Sequence, residues 1–301
     1  MQSGKLVILA GGISSRMRKP LAQSKGNDSS DGVVPVINEK LIKDADQKSK
    51  SMIGVGKNFR PFLDYLLFNA RETGYRDIVL VIGENDNSIK EYYGSNEKNN
   101  EFKGLLISYA VQKIPAGRIK PLGTADALLC GLKSKPEWAG GKFTVCNSDN
   151  LYSKNAFFLV QNSDYPGTLI DYDRSAMQFE TSRLEKFAVT EKNNQGFLIK
   201  ILEKPSTQQI YELKSRHGYV GVSMNLFSLE YDLILPILED LPENPVRGEK
   251  ELPEAVTILA NQYESGVFCY PVKEHVPDLT SKSDITEVKK YLDKNYPHFS
   301  F

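Results

Sequence analysis

The sequence predicts an α/β fold in which a mixed, mainly parallel sheet is flanked by helices. Short apolar segments that are typical of buried strands alternate with helical segments through residue 165, as in βαβ units. Beyond residue 165 the pattern changes and includes a predicted hairpin, which predicts a β elaboration in the second half. The 301 residues suffice for one large α/β domain, and no internal repeat or linker divides the sequence.

The first half of the chain contains four apolar segments, each ending at glycine, asparagine or a polar run, as expected of buried strands. Between the first two, apolar residues recur at helical spacing over residues 61–73, and Gly74 marks the end of this predicted helix. A further helix is predicted over residues 123–132. The strands of this half are predicted at residues 5–10, 77–83, 105–111 and 142–146.

The second half begins with two segments, 187–191 and 196–203, that flank a polar turn and are predicted to form a β-hairpin. Residues 19–49, in contrast, are polar and lack periodicity, so this stretch is predicted to be a long loop or insertion. The remaining elements are predicted as strands at 220–227 and 265–272 and helices at 249–261 and 283–294.

Composition narrows the class of protein. The chain carries 38 basic and 38 acidic residues, so no bulk charge favours a nucleic acid or an anionic membrane as partner. No apolar stretch approaches the ~20 residues that span a bilayer, and the start of the chain lacks the pattern of a signal peptide. A cytoplasmic protein is therefore predicted. Cys130, Cys146 and Cys269 lie far apart in apolar segments, as reduced core thiols do.

A glycine-rich turn follows the first predicted strand. Gly11 and Gly12 would let backbone N–H groups approach phosphate oxygens closely, and Arg16 adds a planar guanidinium that suits phosphate. Two commoner phosphate loops are excluded. The turn lacks the later glycines of the dinucleotide fingerprint, and residues 51–58 lack the first glycine and the final Ser or Thr of a P-loop. On these residues alone, an ordinary strand-ending turn remains an alternative.

Residues 9–17, LAGGISSRM, resemble the opening signature of the sugar-1-phosphate nucleotidylyltransferases, or pyrophosphorylases, and depart from it at Ser14, where the family has glycine. This family includes glucose-1-phosphate thymidylyltransferase and bacterial UDP-glucose pyrophosphorylase. Further short matches follow in family order as far as about Leu292. The resemblance implies a Rossmann-like sheet of the nucleotide-diphospho-sugar transferase type, in a single domain 1–301 with a nucleotide-binding half of about 1–150 and a sugar-phosphate-binding half of about 151–301.

The resemblance also implies which residues contact the nucleotide. Arg16 and a lysine would hold the triphosphate. Residues 50–55 are similar to the family's lysine motif but lack its two prolines, which makes Lys50 the candidate. Lys57 and Lys19 remain open as alternatives. Gln112 would read the base edge, and its amide offers the donor and the acceptor that uracil or thymine requires, which favours UTP or dTTP. The remaining nucleotide-binding candidates are Leu9, Ala10, Gly11, Gly12, Gly123 and Thr124.

The metal and the sugar phosphate have their own candidate residues. Asp149 follows a predicted strand in a motif similar to the family's Mg²⁺-binding turn, and Asp278 lies in a stretch that resembles the second metal-binding segment. Carboxylates at strand ends suit Mg²⁺, which prefers few protein oxygens. Residues 203–205 match the family's Glu-Lys-Pro, which implies that Glu203 binds sugar hydroxyls and Lys204 the sugar phosphate. Asn225 would lie near the sugar.

The implied reaction is Mg²⁺-assisted, in-line attack by a sugar 1-phosphate on the α-phosphorus of a nucleoside triphosphate, with Arg16, Lys50 and Lys204 stabilising charge. His217, His275 and His298 show no metal spacing and are interpreted as surface or structural residues. Two alternatives stay open: a nucleotidylyltransferase for a non-sugar phosphorylated acceptor, and a non-catalytic nucleotide-sugar-binding regulatory protein. A homo-oligomer is compatible with the sequence.

Overall fold

The computed structural model of the protein describes residues 4–12, 17 and 39–301. These residues form a ten-stranded mixed sheet flanked by helices, which confirms the predicted fold class. The strands are β1 (Gly4–Leu9), β2 (Tyr75–Gly83), β3 (Asn100–Phe102), β4 (Leu105–Gln112), β5 (Lys142–Asn147), β6 (Gly167–Asp173), β7 (Val189–Lys192), β8 (Leu198–Leu202), β9 (Gly221–Glu230) and β10 (Val267–Val272).

Helices cover both faces of the sheet. Apolar side chains of α2, α5 and α10 pack on one face, and those of α4, α8 and α9 pack on the other. The sheet therefore has a buried core on each side, as in other α/β folds. The helices are α1 (Glu39–Gln47), α2 (Phe62–Glu72), α3 (Ser88–Tyr93), α4 (Thr124–Lys133), α5 (Lys154–Gln161), α6 (Thr181–Leu184), α7 (Thr207–His217), α8 (Tyr231–Asp240), α9 (Leu252–Gln262) and α10 (Asp284–Asn295).

Strand order determines where loops from distant parts of the chain meet. The order along the sheet is β10-β6-β9-β5-β1-β2-β4-β3, with the β7–β8 hairpin attached to β9. Strands β5, β1, β2 and β4 are neighbours and run parallel to one another. Their carboxyl ends therefore lie at one edge, where α/β folds usually bind ligands. Strand β9 runs antiparallel to both β5 and β6 and joins the two halves of the sheet.

Most predicted elements are present within a few residues of their expected bounds, including the hairpin β7–β8 and the helix α2. The prediction of a loop over 19–49 is wrong for its last part, because residues 39–47 form α1. Leu41 and Ala45 are buried on one face of this helix, and charged residues make up most of the rest. Such a short helix depends on burial against the core. Seven elements had no prediction of their own, namely α3, β3, α5, β6, α6, α7 and α8.

The three cysteines are free thiols, two of them buried and Cys130 half-buried. Burial raises the pKa of the Cys130 thiol to about 11, and it raises that of Cys146 further. Both groups are therefore protonated at neutral pH, as expected of core thiols. Among the residues that the structure describes, no helix is both long and apolar enough to cross a membrane.

A buried ion pair connects β6 to β7. Lys192 donates to Asp171, whose side chain is completely buried, and the same carboxylate accepts hydrogen bonds from Thr190 and Tyr219. The lysine is only 7% exposed and also donates to the Tyr219 hydroxyl. A buried charge pair holds its place only when its hydrogen bonds are satisfied, and this cluster satisfies them.

Candidate active site

The glycine turn lies at the carboxyl end of β1. Leu9 and Ala10 are buried, and the Ala10 N–H donates to the Val81 carbonyl of β2 at 2.8 Å. A β-carbon at Gly11 would stand 3.4 Å from Gln112 Oε1, so this turn lies directly against the end of β4. No described atom lies within 4 Å of the corresponding position at Gly12. Arg16 lies outside the described residues, as does Lys19.

Gln112 ends β4 with its side chain buried. Its Nε2 donates to the Gly123 carbonyl and to Asp126 Oδ2, both at 2.8 Å. Both N–H groups of the amide are therefore satisfied within the protein, and Oε1 faces the Gly11 turn. The structure brings together Gln112, Gly11 and Gly123, three of the residues predicted to bind the nucleotide.

Gly123 and Thr124 begin α4 and connect it to the segment before α9. Gly123 has a φ of 108°, and the Thr124 hydroxyl accepts from the Leu252 N–H at 2.9 Å. The Ala125 N–H donates to the Lys250 carbonyl at 3.0 Å. The backbone beside Gln112 is thus fixed by contacts from the second half of the chain.

We expect Gly123→Ala to lower the free energy of unfolding by about 2–3 kcal/mol. The new β-carbon would stand 2.6 Å from the Lys250 carbonyl oxygen, on a backbone of positive φ. Urea unfolding followed by circular dichroism measures the loss. Gly117→Ala is the comparison, because Gly117 has a φ of 80° but no atom within 4 Å of an added β-carbon. It should cost about 1 kcal/mol from backbone strain alone. Equal losses would contradict the role given to the Lys250 contact.

Asp149 lies in the turn after β5 and forms an ion pair with Lys50, whose Nζ is 2.8 Å from Asp149 Oδ2. The side chains are 22% and 16% exposed, so the pair is partly protected from solvent. Lys57 instead donates to the Pro297 carbonyl at 2.7 Å. Of the two described lysine candidates, only Lys50 contacts a predicted metal ligand.

Asp278 lies beside this turn, because Asn150 and Asp278 form an antiparallel β-bridge. The bridge is reinforced by hydrogen bonds from the Leu151 N–H to the Pro277 carbonyl and from the Leu279 N–H to the Asp149 carbonyl, at 2.9 and 2.8 Å. Burial raises the pKa of Asp278, and the charge of Asp149 raises it further, against the opposite effect of Arg183. The two predicted metal ligands are therefore close enough to interact electrostatically.

Asp149 and Asp278 fit a magnesium ion by the chemistry of their donors. Both offer hard carboxylate oxygens, and within the described part of the chain Asp149 Oδ1 accepts no hydrogen bond. The described residues include no group of three or more His, Cys, Asp or Glu side chains arranged for a metal. Two carboxylates suffice for Mg²⁺, which keeps several waters and also binds substrate phosphates.

The predicted sugar-binding residues lie on the second half of the sheet. Glu203 and Lys204 follow β8, are exposed, and Lys204 has a positive φ of 48°. Glu203 Oε2 lies 3.3 Å from the guanidinium of Arg247, a residue that the sequence analysis did not identify. Asn225 has a φ of 57° within β9, where the pairing with β6 changes register between Leu169 and Asp171.

The irregularity at Asn225 connects the sugar side to the acidic turn. The Tyr152 hydroxyl, just beyond Asp149, donates to the Met224 carbonyl at 2.6 Å and lies 3.3 Å from the Asn147 N–H. Tyr152 is completely buried, so this contact is protected from solvent. The structure thereby fixes the backbone next to Asn225 relative to the predicted metal ligands. Lys204 makes no ion pair with any residue in the described ranges.

His275 supports the segment that carries Asp278. Its Nδ1 accepts a hydrogen bond from the Gln178 N–H at 3.2 Å, which requires an unprotonated ring nitrogen. Burial lowers the pKa of His275 to about 4, and the charge of Arg183 acts in the same direction. These contacts agree with the structural role predicted for this histidine.

The free energy of unfolding should therefore fall as the pH is lowered from about 6.5 towards about 4. In that pH range His275 takes up a proton in the unfolded protein but not in the folded protein. His275→Gln should reduce this pH dependence, as measured by urea unfolding at pH 7 and pH 5. His298→Gln, at an exposed histidine, is the control and should leave the dependence unchanged. An unaltered slope in His275→Gln would contradict the assignment.

Several known proteins are similar to this chain in sequence. The chain is 24% identical to the bifunctional protein GlmU of Methanococcus vannielii over 256 residues, which cover 85% of this chain and 53% of that protein. It is 26% identical to GlmU of Methanococcus maripaludis over 211 residues, or 70% of this chain and 42% of that protein. The chain thus spans about half the length of these relatives.

Solved structures share the fold. UDP-glucose pyrophosphorylase from Acinetobacter baumannii superposes with a TM-score of 0.66 at 17% identity, covering 99% of this chain and 95% of that one. A UDP-glucose pyrophosphorylase complexed with UDP-glucose gives a TM-score of 0.65 at 17% identity, covering 97% and 99%. At this identity the likeness shows the fold alone.

The described residues form an α/β protein built on a mixed sheet, with a glycine turn after β1 and the acidic pair of Asp149 and Asp278 beyond the end of β5. The family model described as "Nucleotidyl transferase" matches residues 45–294. The chain belongs to the nucleotidyl transferase family, and the resemblance found in the sequence is confirmed at that level.

Proposed function

We propose that the protein joins a nucleoside triphosphate to a sugar 1-phosphate and releases pyrophosphate. The observation that carries this proposal is the β-bridge between Asn150 and Asp278, which sets Asp278 beside Asp149 and the Lys50 ammonium. These charged groups lie beyond the carboxyl end of β5, next to the glycine turn after β1. Family membership supports the same reaction type.

The proposed reaction requires positioning of the substrates and stabilisation of charge more than it requires proton transfer. An oxygen of the sugar phosphate, already an anion at neutral pH, forms a bond to the α-phosphorus of the triphosphate. The bond from that phosphorus to the oxygen bridging it to the β-phosphate breaks, and pyrophosphate leaves. No general base is needed, so the work of the site is to hold two anions in line.

Each candidate residue has a role in this scheme. Asp149 and Asp278 would hold Mg²⁺, which supplies positive charge to the phosphates when bound. Lys50 and Arg16 would contact the triphosphate, and Lys204 would contact the sugar phosphate as a point charge. Glu203 and Asn225 would accept hydrogen bonds from sugar hydroxyls.

The base preference rests on Gln112. Because both of its N–H groups are engaged, its Oε1 is the atom left to read a base. That acceptor suits the N3–H of uracil or thymine, whereas the donor that the sequence analysis expected from this amide is already used within the protein. We therefore propose UTP or dTTP as the nucleotide. The UDP-glucose held by one structural neighbour supports the first of these.

A screen for pyrophosphate release tests the proposal. UTP, dTTP, CTP, ATP and GTP are each combined with glucose 1-phosphate, other sugar 1-phosphates and phosphocholine, in the presence of Mg²⁺. The proposal expects release with UTP or dTTP and a sugar phosphate. Release only with phosphocholine would favour a non-sugar acceptor. Nucleotide-sugar binding without any release would favour a regulatory protein.

A further inference from the structure

Arg183 contacts the acidic pair, although no motif indicated it. It lies in α6, between β6 and β7, with its Nη2 2.7 Å from Asp278 Oδ2. Its Nη1 forms an ion pair with Asp284, at the start of α10. The guanidinium carbon lies 4.5 Å from the centroid of the Phe179 ring, which covers one face of the group. The side chain remains 26% exposed, so solvent reaches part of it.

The two ion pairs of Arg183 differ in the role of the carboxylate that each contacts. Asp284 Oδ2 accepts hydrogen bonds from the N–H groups of Thr280 and Ser281, at 3.0 and 2.7 Å, so this carboxylate is fixed within a turn. Asp278 is the predicted metal ligand, and both of its oxygens are engaged, Oδ1 by the Thr280 hydroxyl at 2.5 Å and Oδ2 by Arg183. Arg183 is therefore anchored at one edge and holds a metal-ligand carboxylate with the other.

Each predicted metal ligand thus has its own cation, Lys50 for Asp149 and Arg183 for Asp278. A metal ion on the same carboxylate oxygen would bring two cations together, which Coulomb repulsion opposes. Arginine carries five N–H donors in a planar fork that matches phosphate oxygens. An anionic phosphate next to Asp278 would accept from Arg183 and leave the carboxylate to the metal.

We propose that Arg183 is a substrate-phosphate-binding residue that couples metal binding to sugar-phosphate binding. The inference rests on the proposed function, since it takes the substrate to be a phosphate ester. We assign the sugar phosphate to Arg183 rather than the triphosphate, because Lys50 beside Asp149 already serves the triphosphate in the proposed function. The anchor on Asp284 lets the guanidinium exchange one partner without leaving the site.

The first test measures Mn²⁺ binding to the full chain by electron paramagnetic resonance, without turnover. Arg183→Met should bind Mn²⁺ about tenfold more tightly than the parent in the absence of substrate, because Asp278 loses its competing cation. Unchanged or weaker Mn²⁺ binding would overturn the proposal.

The second test measures phosphate binding by calorimetry, with glucose 1-phosphate and with orthophosphate as a probe that needs no sugar contacts. Arg183→Met should bind both about tenfold more weakly, and Arg183→Lys should lie between it and the parent. In the parent, glucose 1-phosphate should tighten Mn²⁺ binding several-fold, and Arg183→Met should abolish that coupling. A purely structural arginine would leave the coupling intact, and that result would overturn the proposal.

Two comparison variants keep the test specific. Arg216→Met removes a surface arginine that pairs with Glu191 at 3.5 Å and should change neither affinity. Thr280→Val removes the neutral hydrogen bond to Asp278 and should leave phosphate affinity unchanged. Thermal unfolding checks that each variant is folded; if Arg183→Met is not, the neutral variant Arg183→Gln answers both questions. These experiments measure binding directly and need no turnover. They therefore test the role of Arg183 even if the protein releases no pyrophosphate in the screen.

Discussion

Asp149→Asn is expected to lower the rate of pyrophosphate release by about a thousandfold, a loss typical of removing a group that stabilises transition-state charge. The change removes a negative charge from the proposed metal site and the ionic partner of Lys50. Its effect on folding should be small, because the side chain is 22% exposed and makes one ion pair. Steady-state assays with UTP or dTTP and the best sugar phosphate measure the loss.

Asp240→Asn is the matched control for this variant. Asp240 ends α8 on the exposed surface, so neutralising it changes the net charge equally without touching the site. Its rate should equal that of the parent. If Asp149→Asn retains more than about a tenth of the parent rate, the assignment of Asp149 as a metal ligand must be abandoned.

Lys192→Met should destabilise the protein by about 3–5 kcal/mol, the usual cost of leaving one member of a buried ion pair alone. Asp171 would remain in a site with no exposed surface and would lose one of its three donors. Urea unfolding of the variant and the parent at pH 7 measures the difference, and the midpoint should fall with little change in slope.

A surface pair and a double variant show whether the burial of the charge causes the loss. Arg216→Met breaks the exposed Arg216–Glu191 pair and should cost at most about 1 kcal/mol. Combining Lys192→Met with Asp171→Asn should recover part of the stability, because the lone charge is then removed. A loss below about 1 kcal/mol in Lys192→Met would show that solvent reaches Asp171 in solution.

The parts of the site that could be predicted from the sequence are those that follow a strand directly. Gly11 comes after β1, Gln112 ends β4 and Asp149 comes after β5, so an alternating α/β pattern already places all three at one edge. The positions of Asp278 and Asn225 required knowledge of the family, because irregular pairings bring them to this edge.

Contacts between distant segments account for what the sequence could not predict. Arg183 and Arg247 lie in short polar segments without any periodic pattern. Each forms an ion pair with a carboxylate that is distant in the sequence. The engagement of both Gln112 N–H groups, one by Asp126, likewise depends on how α4 docks. Helix α1 is strongly charged and has two buried apolar residues. Packing of these two residues against the core stabilises the helix.

The bridge between Asn150 and Asp278 affects the order in which parts of the protein fold during synthesis. Strands β1, β2, β4 and β5 can pair as soon as the first half has been synthesised, since they are close in sequence. Asp278 can meet Asp149 only after the segment that follows β10 has been synthesised. Under the proposed function, a growing chain on the ribosome would thus pair these four strands early and remain unreactive until the segment after β10 has docked.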